Sequence, residues 1–300
     1  MKTTLLLLSI FLSANLFGQN VYIPDANFKA YLITNSDINT NGDTEIQVSE
    51  ANTYTGGINC YDENISDLTG IEAFTTLTEL DCSFNELTSL DVTTNTALEV
   101  LGCRYNQLTS LDVSSNTALE VLYCTDNQLE SLDVSTNTAL TELYCSLNQL
   151  TSLDVTTNTA LIILYCYYNE LTSLDVSSNN ALTELDCDYN ELECLNVKNG
   201  NNTAFTNFNA YDNQNLTCIE VDDAEWSASN WTDIDSQTSF SADCDDDCDD
   251  PTVGINELTT TKNLIQIVDM MGRDTTFKPN TPLIYVYDDG SIEKVFSVDY

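Results

Sequence analysis

The most regularly placed reactive side chains in this sequence are cysteines. One recurs about every 21 residues, at Cys60, Cys82, Cys103, Cys124, Cys145, Cys166 and Cys187. Thiolates at these positions could bind a metal or form disulfides. A metal site needs ligands that converge on one point, however, whereas side chains at one position of a repeat form a line. We therefore expect free, buried thiols that act as small apolar side chains.

Carboxylates are the second group with chemical potential. The chain has 48 acidic and 8 basic residues, no histidine and a net charge of −40. Without histidine there is no Ser-His-Asp triad, and the sequence has neither G-x-S-x-G nor a glycine-rich phosphate loop. Carboxylate pairs are abundant, but a glycosidase needs one singular pair in one pocket. Because the acidic residues recur with the repeat, the sequence predicts no enzyme.

The same charge restricts the partners. A surface this acidic repels nucleic acid and anionic lipid, and it favours solubility, cations or basic partners. One outward aspartate recurs in each repeat, at Asp91, Asp112, Asp133, Asp154 and Asp175. Stacked carboxylates repel each other, so either they accept local N–H and hydroxyl hydrogen bonds or cations lie between them. We expect the local hydrogen bonds.

A third group lies in a polar loop near the N-terminus. Its oxygen-bearing side chains are Asn39, Asn41, Asp43, Glu45 and Glu50. Counting Asn39 as position one, the spacing resembles an EF-hand calcium loop, with Ile46 at position eight. Asn39 replaces the usual Asp, however, and Thr44 replaces the Gly that makes the sharp turn. The loop is either a calcium site that stiffens the N-terminal region or a simple polar turn, and no cofactor is required.

A fourth group varies between repeats while the rest of the unit stays constant. These outward positions flank and follow the cysteines, and the candidate ligand-binding residues among them are Arg104, Tyr105, Tyr123, Asp126, Tyr144, Tyr165, Tyr167, Tyr168 and Tyr189. Tyr123, Tyr144 and Tyr165 fall in line on one predicted sheet. Tyrosine is rigid and amphipathic, which suits recognition of a protein or a glycan. The alternative is surface tyrosine chosen for strand propensity.

All these residues are positioned by one repeat. The unit at residues 98–118 reads L-x-x-L-x-C-x-x-N-Q and then L-T-S-L-D-V-S-S-N-T-A. It returns, in some copies with changes, at Leu77, Leu119, Leu140, Leu161 and Leu182. The triplets beginning at Leu101 and Leu111 alternate in polarity, which predicts two short strands per unit. One unit cannot offset its loss of chain entropy alone, so neighbouring units must stack and share a core.

Two rows of asparagines accompany the repeat. The first row is Asn85, Asn106, Asn127, Asn148, Asn169, Asn190 and Asn213. The second row is Asn95, Asn116, Asn137, Asn158 and Asn179. Asparagine can turn inward and bond backbone N–H and C=O groups that a tight turn leaves unpaired. We expect both rows to be structural.

The repeat resembles the leucine-rich repeat, L-x-x-L-x-L-x-x-N/C-x-L. More narrowly it is similar to the nested 21-residue bacterial subclass called IRREKO repeats, with Val113 and its equivalents in place of the last leucine. The resemblance covers residues 58–216 and implies a mostly β leucine-rich-repeat solenoid with two parallel strands per coil. It also implies a binding module whose concave side is the sheet that carries the tyrosines. The irregular segment at residues 58–77 resembles the 22-residue repeats of internalin-type proteins.

The N-terminal region precedes the repeats. Residues 1–18 combine Lys2 with an apolar run too short to span a membrane, which predicts a secretory signal peptide. Residues 19–57 then form the predicted N-terminal cap with its EF-hand-like loop. Within the cap, residues 25–33 have a capping Asp and helical spacing of Phe28, Tyr31 and Leu32, so we expect a short helix that covers the first coil.

The C-terminal region divides into two parts. Residues 217–250 are the predicted C-terminal cap and acidic linker, in which Trp226, Trp231, Ile234 and Phe240 close the last coil. Cys194 and Cys218 occupy equivalent slots of adjacent coils and could form a disulfide. Cys244 and Cys248 could instead pair together, or either could pair with Cys218.

Residues 251–300 are a predicted β-sandwich-like module. Strands are expected at residues 264–268, 283–287 and 293–298, with a hairpin turn at Asp288-Asp-Gly290. The run Ile267-Val-Asp-Met-Met-Gly-Arg273 and the strands after it resemble the C-terminal sorting domain of the type IX secretion system of Bacteroidota. That resemblance implies export by the type IX machinery.

Together these features predict an exported protein, extracellular or attached to the cell surface and not integral to a membrane. We expect a non-catalytic leucine-rich-repeat protein that binds a protein or glycan ligand, as in adhesion, and no nucleic acid. The alternative is a structural component of the envelope or matrix without a discrete ligand.

Overall fold

The computed structural model describes residues 18–244, 264–269, 273, 283–287 and 292–295. The chain divides into two compact units, Met1–Asp250 and Pro251–Tyr300. The first unit is a mostly β parallel solenoid of about nine coils, which is a leucine-rich-repeat fold. The predicted signal peptide lies outside the described residues except for Gly18. No described helix is long and apolar enough to cross a bilayer.

One face of the solenoid is an eight-stranded parallel sheet. Its strands, in spatial order, are β1 (Gly57–Asn59), β2 (Glu79–Asp81), β3 (Val100–Gly102), β4 (Val121–Tyr123), β5 (Glu142–Tyr144), β6 (Ile163–Tyr165), β8 (Glu184–Asp186) and β10 (Asn207–Asn209). Neighbouring strands pair in register, so Leu101 lies beside Leu122 and Leu122 beside Leu143. The middle residue of each strand is buried and its two neighbours point outward, as the alternation predicts.

Within residues 18–244, the opposite face forms a sheet only in its last coils. Four strands pair there, β7 (Ser173–Asp175), β9 (Cys194–Asn196), β11 (Cys218–Glu220) and β12 (Ser239–Ser241). The prediction of two strands in every coil is therefore wrong for the earlier units. Their triplets have the same letters, but Leu111 is 8% exposed whereas Leu174 is 1% exposed. Alternation predicts the direction of a side chain and does not predict whether the backbones of neighbouring coils form hydrogen bonds.

The interior is filled by leucines, valines and the cysteine row. Cys60, Cys82, Cys103, Cys124, Cys145, Cys166 and Cys187 are all free thiols with no solvent exposure. Burial raises the pKa of Cys103 to about 12, so the thiol stays neutral at physiological pH. The prediction of free, buried thiols is confirmed.

The first asparagine row bonds the backbone of two coils, as predicted. Asn127 Nδ2 donates to the carbonyls of Cys103 and Cys124, at 3.0 and 3.2 Å, while its Oδ1 accepts from Leu108 N at 2.9 Å. The second row makes only half of the predicted bonds. Asn137 Nδ2 donates to Val113 O and Asn116 O, but within the described residues its Oδ1 has no hydrogen-bond partner.

Between residues 18 and 57 the chain forms two helices, α1 (Ala26–Thr34) and α2 (Val48–Ala51). Asp25 caps α1, because its Oδ1 accepts hydrogen bonds from Asn27 N and Phe28 N. Phe28 and Leu32 on α1 are fully buried and belong to the same apolar cluster as the leucines of the coils. The core therefore continues without a break from α1 into the repeats.

The other end of the array contains α3 (Ala224–Asn230) and an aromatic cluster. Trp231 is 6% exposed and stacks on Phe208, with ring centroids 4.0 Å apart. Trp226 and Phe240 pack edge-on against Trp231.

A disulfide joins Cys218 to Cys244, with Cα atoms 6.1 Å apart. The possible Cys194–Cys218 pair is therefore wrong, whereas the alternative that Cys244 pairs with Cys218 is confirmed. Cys194 is also disulfide-bonded, but not to Cys218. Equivalent side chains of parallel, in-register strands project side by side, whereas a disulfide needs Cβ atoms that face each other. Cys248 and the rest of the acidic linker lie outside the described residues.

The second unit contains a three-stranded antiparallel sheet in the order β13 (Leu264–Asp269), β14 (Leu283–Tyr287), β15 (Ile292–Val295). The three strands fall close to the predicted positions, and β15 begins and ends earlier than expected. The predicted turn at residues 288–290 lies outside the described residues. A second sheet, which a sandwich would require, is not seen among the described strands.

Candidate functional site

The structure divides the predicted tyrosine face into two rows. The first, which we call the strand-face row, consists of Tyr123, Tyr144 and Tyr165 at the ends of β4, β5 and β6, together with Arg104. The second, which we call the turn row, consists of Phe84, Tyr105, Asp126, Leu147, Tyr168 and Tyr189. Tyr167 lies next to the turn row, with its ring 6.1 Å from the ring of Tyr168.

The strand-face row is a continuous aromatic surface. Tyr123 and Tyr144 stack with centroids 4.8 Å apart, and Tyr144 meets Tyr165 edge-on at 5.3 Å. Arg104 extends the row, because its guanidinium lies 5.3 Å from the ring centroid of Tyr123. In-register pairing of β4, β5 and β6 places these side chains in line. All four residues are half-buried.

Carboxylates hold the tyrosine hydroxyls in place. Tyr144 Oη donates to Glu142 Oε2 at 3.0 Å, and Tyr165 Oη donates to Glu184 Oε2 at 2.6 Å. Burial, followed by the hydrogen bond to Glu142, raises the pKa of Tyr144. The hydroxyl group of Tyr144 therefore stays neutral over the physiological range of pH, and its hydrogen bond to Glu142 fixes the position of the ring.

An acidic pair lies beside the row on β8 and just after it. Asp188 Oδ2 accepts a hydrogen bond from Asn209 Nδ2 at 3.0 Å. Burial, followed by the charge of Asp188, raises the pKa of Asp186 to about 6. Neither aspartate was among the predicted site residues. Aspartate occurs on both sides of the cysteine only at Cys187 among the seven repeat cysteines, and this is the signal that could have identified the pair.

The turn row has an unusual backbone. All its residues have positive φ, from 49° at Tyr189 to 57° at Phe84 and Asp126. Aromatic residues are rare in this left-handed region, which favours Gly, Asn and Asp. Each residue of the row directly precedes an asparagine of the first row, so the tight turn that aims the asparagine inward also turns its neighbour outward.

The turn row forms two separate aromatic stacks. Near the N-terminal end, Phe84 and Tyr105 stack with centroids 4.1 Å apart, and Tyr61, which lies outside the row, has its ring centroid 4.9 Å from that of Phe84. Near the C-terminal end, Tyr168 and Tyr189 lie 4.2 Å apart and are parallel within 6°. Asp126 and Leu147 interrupt the row between them. The single ligand-binding face predicted from the sequence is thus two rows in the structure. The turn row is interrupted, and the strand-face row is continuous.

The outward aspartates make the predicted local hydrogen bonds. Asp91 Oδ1 accepts from Thr93 N and Thr93 Oγ1, at 3.0 and 2.6 Å. The Thr93 hydroxyl and then its N–H lower the pKa of Asp91. Asp112, Asp133, Asp154 and Asp175 accept equivalent backbone bonds. These carboxylates stabilise turns, and their geometry does not require cations.

The polar loop at residues 39–50 closes on itself. Asn39 is buried, and its Nδ2 donates to the carbonyls of Ile33 and Asp43. Asn41 and Asp43 each accept an N–H from two residues further on. Glu45 forms an ion pair with Lys29 at 2.7 Å. These contacts satisfy the loop without an outside ligand.

The turn in this loop also differs from the EF-hand pattern. The residue with left-handed φ is Gly42, at 71°, which is position four and not position six. Glu50, at position twelve, accepts from Thr40 N and Asn41 N and, through its other oxygen, from Gln47 N. In the described part of the chain, no group of three or more His, Cys, Asp or Glu side chains is placed to hold a metal ion. Calcium binding here stays a prediction.

Comparisons with known proteins support the fold. A family model described as Leucine Rich repeats (2 copies) matches residues 96–137. Internalin J from Listeria monocytogenes serotype 4b is 36% identical over 77 residues, which are 26% of this chain and 8% of that protein. The chain thus contains leucine-rich repeats and is similar to internalins.

Solved structures give the same result. The functional domain of InlJ from Listeria monocytogenes, described as including a cysteine ladder, is 34% identical with a TM-score of 0.52. The match covers 68% of this chain and 52% of that domain, so the chain spans about half of it. The internalin inlF from the same species is 19% identical, with a TM-score of 0.55, over 73% of this chain and 68% of that one. This second match shows the fold alone.

Proposed function

We propose that this chain is an exported, non-catalytic binding protein that recognises a protein ligand with the strand-face row. The observation that carries the proposal is the continuous aromatic surface formed by Tyr123, Tyr144 and Tyr165. It occupies positions that vary between coils, whereas the letters that build the scaffold repeat. A surface that the fold leaves free is where a specific partner can be recognised.

The row is also preorganised. Each ring contacts the next, and the hydroxyls of Tyr144 and Tyr165 are bound to carboxylates. Binding therefore immobilises few additional rotamers, which reduces the entropy lost on association. Half-buried tyrosines next to an arginine are the residue types enriched in the centres of protein interfaces.

The proposal of export rests on two predicted segments, residues 1–18 and residues 251–300. The predicted signal peptide would direct the chain across the inner membrane, and the C-terminal module would direct it through the type IX machinery. In this proposal the repeats act outside the cell or at its surface, for example in adhesion.

The test compares the full chain with a double variant, Tyr144→Ala with Tyr165→Ala. Both proteins are applied to arrays of extracellular proteins and of glycans. We expect the double variant to lose at least about tenfold in affinity for a protein that the unaltered chain binds, because hot-spot tyrosines each contribute about 1–2 kcal/mol or more.

The control is Thr151→Ala with Thr172→Ala, which changes exposed residues of neighbouring units away from the row. Equal binding by all three proteins, or binding of glycans alone, would contradict recognition of a protein by this row. A chain that binds nothing on either array would favour the alternative of a structural envelope component.

A further inference from the structure

A cleft of about 510 Å³ lies at the C-terminal end of the turn row. Its walls include Tyr168, Tyr189, Glu191, Asp212, Gln214 and Asn215. None of these belongs to the strand-face row, so the cleft and the proposed protein-binding surface can be tested independently.

The tyrosines of this cleft are exposed and fixed. Tyr168 and Tyr189 are 46% and 37% exposed, although they stack in parallel 4.2 Å apart. Tyr211, which is 50% exposed, meets Tyr189 edge-on at 6.5 Å. The fold gains little from burying these rings, and it holds two of them at φ of 52° and 49°. A polar or small residue would suit such a turn better.

The charges around the cleft are of one sign. Glu191 and Asp212 contribute carboxylates to its walls, and no lining residue is basic. In the sequence no Lys or Arg occurs between Arg104 and Lys198. The Lys198 ammonium is itself bonded to Glu220 Oε1 at 3.1 Å and to the carbonyl of Ala242 at 2.6 Å. The cleft thus joins aromatic faces to carboxylates that nearby lysines do not neutralise.

We infer that this cleft binds a cationic side chain, above all the guanidinium of an arginine, presented by an extended segment of a partner protein. A guanidinium can lie on the tyrosine ring and donate hydrogen bonds to a carboxylate at the same time. Arginine suits the site better than lysine, because its planar group stacks on aromatic rings and forms bidentate bonds. The side-chain amides of Gln214 and Asn215 can bond the backbone of the segment.

The experiment uses the full chain and an acetylated, amidated hexa-arginine peptide, with affinity measured by calorimetry at about 0.15 M salt to screen diffuse attraction. The first variant is Tyr168→Leu with Tyr189→Leu. Leucine already occupies the equivalent left-handed position at Leu147, with φ of 55°, so this variant is expected to fold. We expect it to weaken peptide binding about tenfold.

Two double variants that each remove two negative charges distinguish binding in the cleft from diffuse electrostatic attraction to the acidic surface. Glu191→Gln with Asp212→Asn removes two charges from the cleft. Asp112→Asn with Asp133→Asn removes two from the row of outward aspartates on other coils. We expect the cleft pair to weaken binding about tenfold and the control pair by less than about twofold. Hexa-lysine should bind more weakly than hexa-arginine.

Several results would overturn the inference. Equal losses in the two charge pairs would mean diffuse electrostatic attraction, and an unaffected tyrosine variant would exclude stacking. Failure to bind hexa-arginine, or binding of a neutral oligosaccharide such as maltohexaose in its place, would also refute a cation site. Tyr144→Ala with Tyr165→Ala should leave hexa-arginine affinity unchanged, so this proposal and the proposed function can fail separately.

Discussion

Asp186 and Asp188 show how substitutions at two variable positions of the repeat change the local pKa values. Where the neighbouring coils carry Tyr144 and Tyr165 on the sheet, the seventh cysteine is flanked by aspartates. The two carboxyl groups lie in a partly buried place, where burial raises the pKa of both. The pair therefore titrates nearer to neutral pH than the outward aspartates do.

The raised pKa of Asp186 predicts a stability effect with a defined sign. The pKa of Asp186 rises from 3.8 in the unfolded chain to about 6 in the folded protein. The ionised carboxylate is therefore less favourable in the folded state, so this group lowers stability as the pH rises from about 4 to about 6, and the full loss is present above pH 6. Asp186→Asn should therefore raise the free energy of unfolding at pH 7.5 by about 1 kcal/mol, discounted for partial exposure. Near pH 4 the difference should vanish.

Urea denaturation at pH 4.0 and pH 7.5 would measure this effect. Asp112→Asn is the control, because hydrogen bonds from Ser114 lower the pKa of Asp112. Removal of that charge should not raise stability at pH 7.5. A gain for Asp186→Asn that is equal at both pH values would contradict the explanation by ionisation.

At the scale of the element, the two asparagine rows stabilise the coils unequally. Asn127 makes hydrogen bonds through both its amide and its carbonyl oxygen, to residues of neighbouring coils. Asn137 uses only its amide, and its buried Oδ1 is without a partner among the described residues. Asn127 thus forms hydrogen bonds with three backbone groups, whereas Asn137 forms them with two.

We predict that Asn127→Ala lowers the free energy of unfolding by about 1–3 kcal/mol, because it leaves buried backbone groups of two coils unpaired. Asn137→Ala should cost less, since the change also removes an unpaired buried oxygen. Urea unfolding of both variants, followed by circular dichroism, would compare them. Equal losses would contradict the difference that the hydrogen bonds indicate.

The elements also show what the sequence can and cannot predict. Alternation around Leu122 and Cys124 predicted the sheet, the buried cysteines and the outward tyrosines, because these depend on the direction of each side chain. Left-handed φ at Tyr168 could not be predicted, because the usual signal is Gly or Asn. The paired strand at Leu174 was not distinguishable from the unpaired triplet at Leu111, because both triplets read Ser-Leu-Asp.

At the scale of the molecule, stability is the sum of coils and of the contacts between neighbours. The buried residues of the inner coils are nearly identical. The surface that one inner coil presents to its neighbour is therefore nearly the same as that of any other inner coil. The two ends are different, because α1 continues the core at one end and the aromatic cluster around Trp231 does so at the other. We therefore expect that an inner coil can be removed, whereas the two ends are not interchangeable.

We predict that deletion of residues 119–139, one complete unit, leaves a folded and cooperative protein. Its urea m-value should fall by roughly a ninth for an array of about nine coils, because m follows the surface exposed on unfolding. Deletion of residues 119–128 is the matched comparison. It removes half a unit and places two second halves in succession, so it should disrupt the fold. Equal behaviour of the two deletions would contradict a modular array.

The position of Arg104 has a consequence for proteolysis. Between Lys29 and Lys198 it is the single basic residue in the sequence. Its backbone follows directly after β3 and Cys103, and its guanidinium lies against the ring of Tyr123. Trypsin-like proteases cut after Lys or Arg in a segment that can extend into their active site, and the folded array offers none at this position. The repeats should therefore survive digestion by such proteases as one long fragment.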